Sequence, residues 1–290
     1  MRRSSLLSLS LLAAPLAAPL AAQQKLDRRI TIAPDAAIRI SNLAGTTRVL
    51  GWDQDSIAVT GSAAPNTSFF MGGAGRMAKL GLEEQEGSKL PGGGHLDVRV
   101  PRGARVWVRS AGGSIDVQAL TGEVDLQSVS GAIHVSGSLR LVTAESIEGD
   151  IEVVGLSPLV RVKTGSGRIL LRQASGDLTA STVSGPIIAT EMQPRGARLE
   201  TVSGPVSYSG TLDRRGTLTI QTHSGDVELQ LPTGLGAEFD LESLGGSVGV
   251  ELPAKTGKPR KGKTIFFANA GGGAQVVVRS FKGQVRVFGQ

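Results

Sequence analysis

A glycine that recurs at near-constant spacing is the feature of this 290-residue sequence that most restricts its fold. Each copy follows the previous one by 18 to 21 residues. The copies are Gly113, Gly131, Gly149, Gly167, Gly185, Gly204, Gly225 and Gly246. A β-branched residue stands two positions after every copy, from Ile115 to Val248, and another apolar residue stands two positions further on. Apolar residues two apart are typical of strands with one buried face, and their fixed period predicts stacked coils.

A second column of apolar residues runs half a repeat out of phase with the glycines. It consists of Leu126, Ala144, Val162, Ala180, Leu199, Ile220 and Leu241. An insertion of one or two residues shifts both columns together, as stacked coils require. The sequence therefore predicts an all-β fold: a single-stranded β-helix, or β-solenoid, with 18- to 21-residue coils, two short strands per coil and a right-handed turn. The hexapeptide alternative fails because Thr121 and Gln127 replace the apolar residues it needs after Ile115.

The domain organisation follows from where this repeat holds and where it is interrupted. We expect one solenoid domain over residues 23–290, with regular coils at about 105–250 and atypical coils at Leu43–Val49 and Phe281–Val287. Insertions interrupt it at about 65–94 and 253–273. The first insertion contains Phe69-Phe70-Met71, which we interpret as a plug for the open end of the solenoid or as an exposed binding patch.

The N-terminus has the order of a secretory signal peptide, predicted over residues 1–22. Arg2 and Arg3 precede an apolar run from Leu6 to Leu20, and Ala21-Ala22 ends the segment. We expect an exported protein of the periplasm, the cell surface or the medium. No later stretch approaches the ~20 apolar residues of a membrane span, so we expect no transmembrane segment after signal cleavage.

The charge balance points to one segment. The chain carries a net charge of +6, and removing residues 1–22 leaves 29 Lys and Arg against 25 Asp and Glu. Five cations lie together without an acid: Lys255, Lys258, Arg260, Lys261 and Lys263. They are candidate ligand-binding residues for an anionic envelope lipid or glycan, the alternative being a solvated loop. We expect no nucleic-acid partner, since no aromatic residues interleave with these cations.

Short glycine–aspartate phrases recur along most of the chain: Glu148-Gly149-Asp150-Ile151, Ser175-Gly176-Asp177-Leu178 and Ser224-Gly225-Asp226-Val227. With the preceding features, they resemble the bacterial putative-adhesin family, whose solenoid is called a toastrack domain, over roughly residues 38–290. The resemblance implies an extracytoplasmic β-solenoid with no assigned catalytic residues. We therefore expect a non-enzymatic, adhesin-like binding or structural module of the cell envelope, with no cofactor.

An enzyme is the alternative, because β-helices also carry polysaccharide lyases and hydrolases that act on acidic glycans. Glu148, Asp150 and Glu152 share one coil, and Arg168 follows on the next. We expect Asp150 and Arg168 to form a surface ion pair rather than a catalytic pair, since neither coil contains Trp or Tyr. No catalytic residue is predicted.

Serine and histidine complete the candidate chemistry. A serine column precedes the glycines at Ser130, Ser166, Ser184, Ser203 and Ser224, and we interpret it as a corner ladder. The histidines His95, His134 and His223 lie in separate repeats, so we predict no metal site. His134 is expected to point outward and His223 inward.

Overall fold

The computed structural model describes residues 24–84, 93–252 and 255–290, and only the backbone of residues 255–263. The predicted signal peptide lies outside the described residues. All the regular secondary structure in these ranges is β-strand. The strands are β1 (Gln24–Thr31), β2 (Ala37–Ser41), β3 (Thr47–Trp52), β4 (Ser56–Ala63), β5 (Thr67–Ala74), β6 (Met77–Glu84), β7 (Gly94–Pro101), β8 (Arg105–Arg109), β9 (Ile115–Gln118), β10 (Glu123–Gln127), β11 (Ile133–Ser136), β12 (Leu141–Glu145), β13 (Ile151–Val154), β14 (Leu159–Thr164), β15 (Ile169–Arg172), β16 (Ser175–Thr182), β17 (Ile187–Thr201), β18 (Val206–Gly210), β19 (Thr217–Thr222), β20 (Val227–Leu231), β21 (Ala237–Leu252), β22 (Lys255–Asn269), β23 (Ala274–Ser280) and β24 (Val285–Gly289).

The strands form two parallel faces, and each layer of the stack gives one strand to each face. The first face runs β6, β2, β8, β10, β12, β14, β16, β17, β19, β23 and β21. The second runs β7, β3, β9, β11, β13, β15, β17, β18, β20, β24 and β21. This arrangement confirms the predicted β-solenoid with two short strands per coil. The right-handed turn stays a prediction.

The core lies between the two faces and is built from the two apolar columns. Ile151 is fully buried and pairs with Ile133 on one side and Ile169 on the other. On the first face, Val142 is buried between Val124 and Val160 in the same way. Intervening residues point outward, as the two-residue period of a strand requires.

The glycine column stands where neighbouring layers approach most closely. A Cβ atom on Gly131 would lie 1.9 Å from the carbonyl oxygen of Gly113, and one on Gly185 would lie 1.8 Å from that of Gly167. These contacts are far inside van der Waals distance, and the opposing atoms are backbone. The repeat therefore needs glycine because of the adjacent layer.

A column of buried hydroxyls holds the same corner, three residues before the glycines. The Gly149 amide donates to Ser146 Oγ at 2.8 Å, and the Gly204 amide donates to Thr201 Oγ1 at 2.9 Å. Ser110, Thr164, Thr182, Thr222 and Ser243 accept equivalent bonds. Buried amides need such acceptors, so this column stabilises the turn.

The serine ladder predicted from the sequence lies on the outer side of this corner, as expected, and has a smaller role than the buried hydroxyl column. Its members, Ser130, Ser166, Ser184, Ser203 and Ser224, are exposed. The hydroxyls of Ser203 and Ser224 each donate to a valine carbonyl of the preceding layer at 3.3 Å. The predicted serine ladder therefore lies outside the buried hydroxyl column, which the sequence pattern did not reveal.

The layers at both ends are stacked out of sequence order. At the C-terminal end, β23 lies between β19 and β21, and β24 lies between β20 and β21. The glycine of this last coil, Gly283, accordingly separates Gly225 from Gly246. At the other end, β2 and β3 lie between β6–β7 and β8–β9.

Antiparallel strands cover both ends of the stack. β5 pairs with β6, and Phe69 and Met71 on β5 pack against the core. This packing agrees with the interpretation of the first insertion as a plug. The second insertion is largely strand, because β22 pairs antiparallel with β21.

An exposed row of mostly apolar side chains, which we call the corner ridge, follows the buried hydroxyl column by one residue. In stacking order it consists of Leu43, Ala111, Val129, Ile147, Gly165, Val183, Val202, His223, Phe281 and Leu244. Backbone hydrogen bonds join successive members, as from the Ile147 amide to the Val129 carbonyl at 3.1 Å. Most of the exposed large apolar side chains in the described ranges lie on this ridge.

Candidate binding surfaces

A recess that combines cations with an aromatic ring lies on the first face, around Trp107. Cross-strand pairing places Lys79, Arg39, Trp107 and Asp125 side by side on β6, β2, β8 and β10. They line an open cavity of about 560 Å³ together with Arg109. We call these five residues and their cavity the Trp107 cleft.

A second hollow continues the Trp107 cleft toward the end hairpin. It has a volume of about 360 Å³ and shares Arg39, Lys79 and Trp107 with the first cavity. Gly72 and Gly73 of β5 form its far side. The half-buried Trp107 ring thus stands in the middle of an extended recess.

Strand alternation explains why these side chains point outward. Trp107 stands between the buried residues Val106 and Val108. Arg39 likewise stands between the buried Ile38 and Ile40. The apolar neighbours fill the core, so the polar and aromatic residues must face solvent.

The electrostatics of the Trp107 cleft favour an anion. Arg39 and Lys79 are paired directly across neighbouring strands, an arrangement of like charges that destabilises a sheet. Lys79 Nζ lies 4.9 Å from the Phe70 ring centre. Within the described part of the chain, neither Arg39 nor Arg109 has an acidic partner. The cleft therefore presents three cations against the single carboxylate of Asp125.

Several other arginines of the surface are paired with carboxylates. Arg102 donates to Asp53 at 2.6 Å and holds the pKa of that carboxyl below its ordinary value. The pKa of Asp177 is lowered in the same way by hydrogen bonding to Arg195. On the second face, Arg48 lies 3.8 Å and 3.7 Å from carboxylates on the neighbouring strands β7 and β9. The unpaired guanidinium groups distinguish the Trp107 cleft from these surfaces.

Two of the three carboxylates considered for catalysis, Asp150 and Glu152, are engaged in surface contacts. An Arg168 guanidinium nitrogen lies 3.2 Å from Asp150 Oδ2, and the Arg168 amide donates to Asp150 Oδ1 at 2.8 Å. Both side chains are about half exposed. Glu152 lies 3.1 Å from His134 Nδ1. The predicted Asp150–Arg168 ion pair is therefore confirmed.

The three histidines occupy separate sites. His134 points outward, as predicted, and His95 lies 2.9 Å from Asp97. The inward prediction for His223 was wrong: it is exposed on the corner ridge and stacks on Phe281 with ring centres 4.9 Å apart. The coil turns one residue earlier than the strand pattern implied. Among the described residues, no three His, Asp or Glu side chains converge as a metal site would require.

The candidate cations Lys255, Lys258, Arg260, Lys261 and Lys263 have side chains outside the described part of the structure. Their backbone belongs to β22, which pairs with β21 at the C-terminal end of the stack. Their role as a ligand-binding segment stays a prediction.

Sequence reasoning missed the Trp107 cleft. Trp107, Arg39 and Lys79 each carry the signal of a polar or aromatic residue between two apolar ones. What the sequence hid is the stacking order, which brings residues 39, 79 and 107 onto adjacent strands. The alternation of apolar and polar residues identifies each side chain as outward-facing, but it does not identify the neighbours of that side chain on adjacent strands.

Comparisons with known proteins agree with this architecture. The family model Toastrack DUF4097 matches residues 38–287. No curated protein matches the sequence. The described ranges contain no helix long and apolar enough to cross a bilayer.

Several solved structures share the fold at low sequence identity. A putative adhesin from Parabacteroides merdae ATCC 43184 is 12% identical, with a TM-score of 0.56 over 91% of this chain and 96% of its own. A putative adhesin from Parabacteroides distasonis ATCC 8503 is 12% identical, with a TM-score of 0.55 over 91% and 97%. A putative lipid binding protein from the same organism is 14% identical, with a TM-score of 0.54 over 91% and 96%.

Proposed function

Because the chain belongs to the Toastrack DUF4097 family, we propose that it is a non-enzymatic, adhesin-like binding module of the bacterial cell envelope. The proposal places the mature protein outside the cytoplasm, in the periplasm, on the cell surface or in the medium. The signal-peptide pattern of residues 1–22 supports export.

The ligand that we propose for the Trp107 cleft is an acidic glycan. The observation that carries this assignment is an aromatic ring flanked by arginines that lack acidic partners in the described chain. An indole ring offers an apolar surface to a sugar ring, while guanidinium groups bind carboxylate or sulfate with two hydrogen bonds. The open shape of the cleft suits a chain that enters and leaves on both sides.

The basic stretch of β22, which contains Lys258, Arg260 and Lys261, is a second proposed contact for anionic partners. A relative named as a lipid binding protein has the same fold, and anionic lipid headgroups share the charge of acidic sugars. The presence of Trp107 favours a sugar over a lipid headgroup as the ligand of the cleft, because a headgroup does not need an aromatic ring to stack on.

Titration of the mature protein with alginate and hyaluronan oligosaccharides tests this proposal. Arg39→Gln should weaken binding at least about ten-fold, since a hydrogen bond to a charged group contributes about 1.5–3 kcal/mol. Trp107→Ala should also weaken it, since the apolar surface beneath the sugar ring is lost. Arg161→Gln is the matched control, because Arg161 is exposed on the same face without an aromatic neighbour. Its affinity should equal that of the wild type.

Further comparisons in the same titration separate the possible ligands. Neutral dextran of similar length should not bind, and added salt should weaken binding to the acidic oligosaccharides. Preference for anionic vesicles over the oligosaccharides, lost in a Lys258→Gln/Arg260→Gln/Lys261→Gln variant, would place the function at β22 and reject the cleft. An equal loss of oligosaccharide affinity in Arg161→Gln would also contradict binding in the Trp107 cleft.

The lyase or hydrolase alternative is tested on the same substrates. The ion pair between Asp150 and Arg168 supports a structural role for both residues. We therefore expect neither unsaturated nor reducing ends to accumulate during incubation with alginate or pectin. Their release by the wild type, abolished by Asp150→Ala, would replace the binding module with an enzyme.

A further inference from the structure

The corner ridge is an exposed apolar line that the proposed glycan site does not use. Ile147 is 59% exposed, Val183 is 56% exposed and Leu244 is 60% exposed, and all stand at the same position of their coils. Single exposed apolar residues are ordinary, but a continuous row marks an interaction surface. At ~4.8 Å per layer, the ten-layer ridge is roughly 45 Å long.

We propose that the corner ridge is a self-association surface, on which two copies of this chain pack ridge to ridge in antiparallel orientation about a two-fold axis between Val183 and Val202. In this register, Ile147 of one copy faces Phe281 of the other, and Val129 faces Leu244. Gly165, which has no side chain, faces the ring of His223. The large groups thus meet small or apolar partners along the whole contact.

Charges on both sides of the ridge support this register. One flank consists of the last outward residue of each first-face strand, and the other is the residue after each ridge residue. The two-fold axis brings Glu145 of one copy opposite Arg279 of the other on the first flank, although Arg279 also pairs with Asp240 and Glu242 of its own chain. On the second flank, Glu148 meets Lys282. Neither Glu148 nor Lys282 has an ion-pair partner within the described residues.

The parallel alternative brings like charges together. With both copies running in the same direction and corresponding layers in contact, the two flanks face each other. Glu145 would then oppose Glu148, and Arg279 would oppose Lys282. Like charges brought together at an interface oppose association, so the antiparallel orientation is favoured.

A shift of one layer in either direction loses the charge pairing on the second flank. A shift of one layer in one direction opposes Glu145 to Glu242 and Lys163 to Arg279. A shift in the other direction opposes Lys163 to Glu200 and Arg109 to Glu242 on the first flank, but it leaves Glu148 and Lys282 opposite serine residues on the second flank. Only the unshifted register combines opposite charges on both flanks with apolar pairing along the ridge.

A bilayer surface is the competing occupant of an exposed apolar row. Anionic membranes select surfaces with excess cations beside the apolar residues. The flanks of the ridge instead carry mixed charges, such as Glu145 next to Lys163 and Glu242 next to Arg279. Mixed charges suit a partner with the complementary pattern, which a second copy provides.

Sedimentation velocity of the mature protein from about 1 µM to 1 mM tests the association directly. A strip one side chain wide falls at the small end of specific interfaces, so the dimer should be weak and reversible. Val183→Lys should weaken the dimer at least ten-fold. Leu156→Lys is the matched control, because Leu156 is 60% exposed but lies off the ridge, and it should leave the dimer unchanged.

A charge exchange tests the register. Glu148→Lys and Lys282→Glu should each weaken association, and the double variant should restore it. Because both side chains are exposed, these changes should leave the melting temperature unchanged. A double variant as weak as the single ones would overturn the register.

Cysteine cross-linking gives an independent readout, since the natural sequence contains no cysteine. An equimolar mixture of Ile147→Cys and Phe281→Cys chains should form disulfide-linked dimers under mild oxidation. Ile147→Cys alone should not, because its two copies would be five layers, roughly 24 Å, apart. Equal cross-linking of both samples, a monomer at every concentration, or ridge-dependent flotation with phosphatidylcholine vesicles would each refute the proposed dimer.

Discussion

Gly185→Ala tests the close approach of layers at the glycine corner. The added Cβ atom would lie 1.8 Å from the Gly167 carbonyl oxygen and 2.8 Å from the Ser166 carbonyl oxygen. Both atoms belong to the backbone of the adjacent layer and cannot rotate away. The two layers must therefore separate locally by roughly 1.5–2 Å to reach an ordinary contact distance.

The cost in unfolding free energy has two sources, the hydrogen bonds that this separation stretches and the overpacking itself. The amides of Val183 and Ser184 both donate to the Gly165 carbonyl at 3.0 Å, and each bond contributes about 1 kcal/mol. Overpacking itself costs about 1–3 kcal/mol. We expect a total loss of about 3–5 kcal/mol, which lowers the melting temperature by roughly 6–20 °C.

Thermal unfolding of Gly185→Ala beside Gly234→Ala measures this loss. A Cβ atom on Gly234 would meet no other atom within 4 Å, and the backbone there has no positive φ, so this substitution should change stability by under ~0.5 kcal/mol. Hydrogen exchange should accelerate at Val183 and Ser184 in the first variant alone. Equal melting temperatures for the two variants would show that the layers can separate without a loss of stability. The close approach of the layers would then not be the reason why the repeat contains glycine.

Three further outcomes are expected. N-terminal sequencing of the exported protein should begin at or near Gln23, and a mature chain that keeps Leu6–Leu20 would contradict signal cleavage. Ile151→Asp should cost at least about 4 kcal/mol in chemical unfolding because it buries an unpaired charge, whereas Glu152→Ala should cost under ~0.5 kcal/mol. Thr182→Val should cost about 1–3 kcal/mol by urea unfolding, since the buried amide that follows three residues later loses its 3.1 Å acceptor, and an unchanged midpoint would exclude that role.

The central coils could be predicted from the sequence because two independent signals coincide there. The alternation at Ile133 and Val135 fixes which face is buried, and the constant period fixes which residues become neighbours. A one-residue slip of register would turn these apolar residues toward solvent. In this part of the chain, the alternation within each strand and the spacing between repeats therefore predict the same pairing of strands.

The terminal layers could not be predicted because alternation does not specify a neighbour. Val248 and Val285 carry the same pattern, and either could pack beside Val227 without exposing an apolar residue. The structure places Val285 there. The same ambiguity concealed the Trp107 cleft, since Arg39 gains Lys79 as a neighbour only through the changed order.

The corner residues show a second limit of sequence reasoning. The strand pattern placed His223 inside by counting in steps of two from Gly225, but the chain leaves the strand before that point. At a turn, the two-residue period no longer determines the direction of a side chain. The buried hydroxyl column and the corner ridge were missed for the same reason.

The coil formed by β23 and β24 is inserted between layers that are built from earlier parts of the chain. Because β21 is synthesised before β23 and β24 yet lies beyond them in the stack, the slot between β20 and β21 must stay open until the final strands arrive. Growth of the solenoid from one end to the other cannot complete this fold. A chain that ends before Val285 would lack β24, the second-face strand of an interior layer, and this would leave a gap between β20 and β21 instead of a shorter solenoid.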